Sequence, residues 1–130
     1  MTAIVLTPAT AASSRGVAHL DIFPGAATPA VFAVGRPFWI GYGFTIEASG
    51  FEDDEAAELP PGTRFELVVD GSPTRLVTDT RVVGGRRVGT QSVSFFRRGL
   101  PAGWHRFEGR WFDESGLALT SDVRIEFVEP

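Results

Sequence analysis

Phe38, Ile40, Tyr42, Phe44 and Ile46 alternate with Trp39, Gly41, Gly43, Thr45 and Glu47. This unbroken period of two predicts a half-buried β-strand. A second alternating segment runs from Trp104 to Phe112. It sets His105, Phe107, Gly109 and Trp111 on one face and Trp104, Arg106, Glu108 and Arg110 on the other, because successive Cβ atoms of a strand point to opposite sides. The Phe107/Trp111 face reads as core. Val123, Ile125 and Phe127 give a last strand within 117–128, and further strands are predicted at 17–23, 63–69, 74–83 and, with weaker alternation, 88–96.

Turn signals separate these segments: Pro24-Gly25, Gly35-Arg36-Pro37, Pro60-Pro61-Gly62, Asp70-Gly71-Ser72-Pro73, Gly84-Gly85 and Asp113-Glu114-Ser115-Gly116. Pro37 has no N–H for a central ladder and belongs at the first residue of its strand. Seven or eight strands result, with no amphipathic helix long enough to cover a sheet. The expected fold is all-β, a two-sheet antiparallel sandwich, with a small β-barrel as the alternative closure. Sequential hairpins would set the strand at Val88 beside the one at Trp104, and that one beside Val123. Residues 1–15 read as a flexible or edge-pairing arm, and 16–130 as one sandwich domain.

The layout carries a resemblance. Gly35-Arg36-Pro37-Phe38, the stretch 65–71 ending in Asp70-Gly71, and the stretch 100–116 with its Leu100-Pro101-Ala102-Gly103 turn resemble the immunoglobulin-like and fibronectin type III-like sandwiches of bacterial proteins. The order is most similar to adhesion-related modules of the CARDB kind. The resemblance implies an immunoglobulin-like sandwich serving as spacer, adhesin, enzyme accessory or virion decoration, and so bears on fold more than on role.

Composition narrows the chemistry. A chain of 130 residues with eleven Phe and three Trp is one domain, large enough to bury roughly two-thirds of its unfolded surface without metal or disulfide. Cysteine is absent, which excludes thiolate chemistry and all-sulfur zinc sites. All twelve basic residues are arginine, and the net charge is -4. Their scatter along an acidic chain argues against nucleic acid as partner. No apolar run reaches the roughly 18 residues of a membrane-inserted helix, and the start is a poor secretory signal. A place in the cytoplasm or in an assembled particle is the resulting expectation.

Catalysis finds little to stand on. His105 could be set beside Ser92 or Ser94 with Asp113 as orienting acid, but no Gly-x-Ser-x-Gly elbow occurs, and His105 reads as an imidazole bonded to a turn carbonyl. His19 reads as a surface residue. Asp53, Asp54, Glu55 and Glu58 crowd one connection and are the metal candidates, with calcium as the hard cation that oxygen ligands suit. Their spacing lacks the alternating pattern and glycine of a helix–loop–helix calcium site. No other cofactor is expected.

Binding is the better-supported class. Trp39 and Trp104 fall opposite the core faces, and an exposed indole near Arg106 or Arg110 suits a sugar ring or a protein hot spot. Phe95 and Phe96 are adjacent, so one must leave the core. Phe96 is taken as the partner-contact candidate, near Val93. The sequence therefore reads as a non-enzymatic structural or protein-binding module with self-association or a protein partner. A polysaccharide-binding accessory module using exposed tryptophan is the alternative.

Overall fold

The structure, a computed structural model, describes residues 4–8, 17–24, 31–47, 62–83 and 87–129. Ten strands follow in order: β1 (Ile4–Pro8), β2 (Ala18–His19), β3 (Val31–Ala33), β4 (Phe38–Glu47), β5 (Arg64–Val69), β6 (Ser72–Thr74), β7 (Val77–Val83), β8 (Arg87–Phe96), β9 (Gly103–Asp113) and β10 (Gly116–Val128). One sheet is ordered β1–β4–β8–β7, with β2 also on β4, and the other β3–β10–β9–β5–β6. The two open sheets face each other as a sandwich rather than closing into a barrel.

Three sequence expectations change. Among the described residues the strands number ten, because Ile4–Pro8 forms β1, the short β2 and β3 appear at Ala18–His19 and Val31–Ala33, and the expected strand 74–83 gives way to β6 and β7. The sheets are mixed, since β2 runs parallel to β4 and β3 parallel to β10. The cause is a chain that follows β4 through Ala18 and His19, buries Leu20 and Ile22 in the core, and then reaches the other sheet. Finally, β8 pairs with β4 and β7, not with β9. The turn after Phe96, closed by the Gly99 N–H donating to the Phe96 carbonyl at 3.1 Å, carries the chain across to the opposite sheet, so no hairpin forms there. The expected pairing of the Trp104 strand with the Val123 strand holds, with a bulge between Leu117 and Leu119.

Between the sheets, Phe38, Ile40, Tyr42 and Phe44 meet Phe65, Leu67, Phe107, Trp111, Ile125 and Phe127. Each such side chain, fully buried, contributes about 1.5–3 kcal/mol. Trp111 takes Tyr42 edge-on at 4.9 Å and Phe65 at 4.8 Å, within the range where aromatic pairs attract beyond simple burial. Its ring lies back over Gly109, where a Cβ would stand 2.9 Å from two ring carbons. A side chain at 109 and the indole at 111 compete for one volume.

The buried Tyr42 hydroxyl fastens the segment after β2. It accepts the Ile22 N–H and donates to Asp21 Oδ1 at 2.7 Å, satisfying groups that would be costly to bury alone. Burial first, then the Asp21 carboxylate, push the phenol well above its ordinary range.

Candidate functional site

Asp70-Gly71 forms the two-residue turn between β5 and β6, with φ of 52° and 81°. Both lie in the left-handed region that a type I′ hairpin turn requires. The turn aims the Asp70 carboxylate at β9. Oδ1 accepts the Arg106 N–H at 2.8 Å, and Oδ2 meets His105 Nδ1 at 2.6 Å. The other ring nitrogen of His105, Nε2, lies 2.7 Å from the Pro101 carbonyl oxygen.

Neither partner can supply a proton, one being a carbonyl and the other an ionised carboxylate. Both nitrogens therefore donate, and the ring is held as imidazolium. Burial works against that charge, but the Asp70 and Pro101 hydrogen bonds and the Asp70 charge together outweigh it and raise the pKa above 6.5. Burial likewise opposes the Asp70 charge, and His105 and the Arg106 N–H more than compensate, holding the carboxyl below 3.8. An imidazole with both nitrogens engaged offers no free base. With both ring nitrogens taken by Asp70 and Pro101, none is left to face Ser92 or Ser94 on β8 of the other sheet, and the orienting acid is Asp70 rather than the Asp113 the sequence suggested. The expected turn carbonyl is that of Pro101.

The outer face of the second sheet presents Trp104, 64% exposed, at register with Glu126 of β10. Further along the same face, several charges pair with one another. Arg106 grips Asp122 in a fork, Nε to Oδ1 at 2.9 Å and Nη2 to Oδ2 at 2.6 Å. Glu108 sits between Arg106 at 3.7 Å and Arg110 at 3.8 Å. These arginines order the face around Trp104. Trp39, expected outside, is only 2% exposed. Its indole stacks on His19 with ring centroids 3.9 Å apart, and His19 is half-buried, with its pKa lowered by burial against the opposing pull of Asp21. Neither residue forms the open platform, or the plain surface, that alternation suggested.

The other sheet holds a patch the sequence reading placed one residue off. Phe96 turns inward and stacks on Phe38 at 4.5 Å, while Phe95 stands 53% exposed. On β7, Val77 is 66% exposed and pairs in register with Val93. Strand β8 inverts the usual pattern, with Thr90, Ser92 and Ser94 buried and Val93 and Phe95 at the outward positions. Two of these inward hydroxyls find partners on β7: Ser92 meets Thr78 at 2.9 Å, and Thr90 meets Thr80 at 2.8 Å. That inversion hid the patch, because polarity alone assigns the hydroxyl face to solvent. An apolar groove of about 570 Å³ is lined by Val17, Ala18, Val31, Phe32 and Pro37, with Arg36 contributing charge.

The acidic candidates Asp53, Asp54, Glu55 and Glu58 lie outside the described residues. No protein-family model, curated protein or solved structure matches this chain.

Proposed function

We propose that this chain is a non-enzymatic structural or protein-binding module that works by presenting the outer faces of an immunoglobulin-like sandwich within an oligomer or larger assembly. The observation carrying the reading is the patch of Phe95, Val93 and Val77, built on adjacent strands with two of its members more than half exposed. Contiguous apolar surface on rigid strands is the usual mark of a protein contact. The immunoglobulin-like element rests on β4–β8–β7 lying against β10–β9–β5, with β1 antiparallel on the first sheet and β3 parallel on the second. Sedimentation over a concentration series tests the assembly. Reversible association that Phe95→Ser weakens is expected, and a monomer at every concentration overturns the reading.

A second reading has its own observation. The open indole of Trp104 lies on a strand whose neighbouring charges are mutually paired, which suits stacking on the apolar face of a sugar ring. A fluorescence shift on adding a polysaccharide, lost in Trp104→Ala, is the expected result. No shift across a broad glycan panel would remove this alternative.

A further inference from the structure

Strands β2 and β3 lie at edges of opposite sheets, and the apolar groove runs between them. Its volume of about 570 Å³ falls within the range of sites that take a small molecule. One wall is fixed by the core, because Phe32 stands edge-on to Phe38 at 5.3 Å and meets Phe127 at 5.4 Å. On β2, His19 stacks on Trp39 while the next residue, Leu20, is fully buried. Alternation gives Ala18 the same side as Leu20, yet Ala18 stays exposed and lines the groove. An alanine at this inward position leaves open a space that a larger side chain would fill.

Charge gathers at one end of the groove. The Gly99 N–H closes a four-residue turn onto the Phe96 carbonyl, with Arg97 and Arg98 at its two central positions. Gly99 has φ of 64°, and a Cβ there would stand 2.6 Å from the Arg36 carbonyl oxygen. The Arg97–Arg98 turn and the Arg36 turn therefore touch backbone to backbone. Elsewhere Arg64, Arg106 and Arg110 each have an acidic partner. Among the described residues Arg36, Arg97 and Arg98 have none, and all three are exposed. Of the acids around this end, Asp21 is held by Tyr42 and Asp70 by His105. Glu129 is left against three arginines.

We propose that this groove binds a single-chain alkyl carboxylate, its tail along Val17, Ala18, Val31 and Phe32 and its head on the Arg36 guanidinium beside the Arg97–Arg98 turn. The planar guanidinium fork matches a carboxylate with two parallel hydrogen bonds, and the apolar wall takes the chain. A sugar or nucleotide would bring hydroxyls for which the described lining has no side-chain partner besides Arg36, and buried polar groups without partners are costly. The site lies away from the Phe95 patch and does not depend on the assembly reading.

Decanoate is the probe, titrated by calorimetry into the parent chain below its micelle concentration. One-to-one binding is expected. Arg36→Gln should weaken it at least about tenfold through loss of a charge-assisted pair. The double variant Arg97→Gln/Arg98→Gln should weaken it about threefold, the scale of an exposed ion pair. Ala18→Phe fills the groove and should abolish binding while the urea midpoint stays at or above the parent's. Decanol lacks the charge and acetate lacks the tail, so each should bind at least about tenfold more weakly than decanoate. Arg36 is exposed, so its variant keeps the fold, which circular dichroism checks, and the test stands even if Ala18→Phe does not fold. Three results overturn the site and leave the assembly reading intact: no binding of decanoate, acetate binding as tightly as decanoate, or unchanged affinity in Arg36→Gln or in folded Ala18→Phe.

Discussion

The Asp70 carboxylate and the His105 imidazole sit 2.6 Å apart although 35 residues separate them in sequence, and their contact ties the β5–β6 turn to the start of β9. Folding raises the His105 pKa above 6.5, so the folded chain holds this proton more firmly than the unfolded one. The stabilisation is complete below pH 6.5 and is lost as pH rises through the folded value. Asp70 is held below 3.8, so its share is present above 3.8 and is lost as pH falls through its own folded value. The contact is therefore strongest on the acid side of neutrality. Urea midpoints should fall between about pH 6 and pH 8.5, and His105→Gln should flatten that fall. A parent midpoint indifferent to pH over this range would contradict the paired imidazolium.

Tyr42 is the only tyrosine in the chain, so phenolate absorbance reports on it alone. Its raised pKa predicts no ionisation at pH 10 while the fold persists. The stabilisation is full below pH 10 and is lost above it as the unfolded chain ionises. Absorbance at the phenolate band should rise in one step together with the loss of near-ultraviolet circular dichroism. Tyr42→Phe removes the acceptor of the Ile22 N–H and should cost about 1–3 kcal/mol in urea unfolding.

Gly109 and Trp111 share a volume, so Gly109→Val should displace the indole. Backbone shift and off-rotamer packing of this kind cost about 1–3 kcal/mol. The expected readout is a lower unfolding midpoint with a red-shifted emission. A variant with the parent's midpoint and spectrum would show that the ring does not lie over residue 109.

The three tryptophans differ in access, with Trp104 64% exposed, Trp39 2% and Trp111 0%. Iodide should quench one component of the emission and leave the rest. Trp104→Phe should remove the quenchable component, while Trp39→Phe should leave it in place. Quenching that survives Trp104→Phe would put another indole at the surface.

What the sequence disclosed depended on whether polarity and burial agree. On β9 they do, and His105, Phe107, Gly109 and Trp111 are inward as their alternation implied. On β8 they disagree. Thr90, Ser92 and Ser94 face inward, with Thr80 and Thr78 supplying hydroxyl partners to Thr90 and Ser92, so period two located the strand but not its outward face. The β3 segment left no readable pattern, since three residues are too few to show a period. Trp39 was misplaced because β2 and His19 cover it, and local alternation says nothing of a covering strand. The Asp70–His105 contact joins residues from different hairpins, a relation that only strand order supplies. The exposed Trp104 was legible because polarity and burial agree along β9, although of the two strands beside it only β10 was expected there and β5 was not.

The parallel contact of β3 with Glu126, Phe127 and Val128 links an early part of the chain to a late one. During synthesis, residues 31–33 cannot find their ladder until residues 126–128 have left the ribosome. Strands β4, β7 and β8 can assemble before that moment, because their partners lie within 38–96. One edge of the second sheet must wait, and until it closes Phe32 lacks Phe127, the ring it meets at 5.4 Å. Closure of this edge is a late event in biosynthesis, set by strand order rather than by the strength of the contacts.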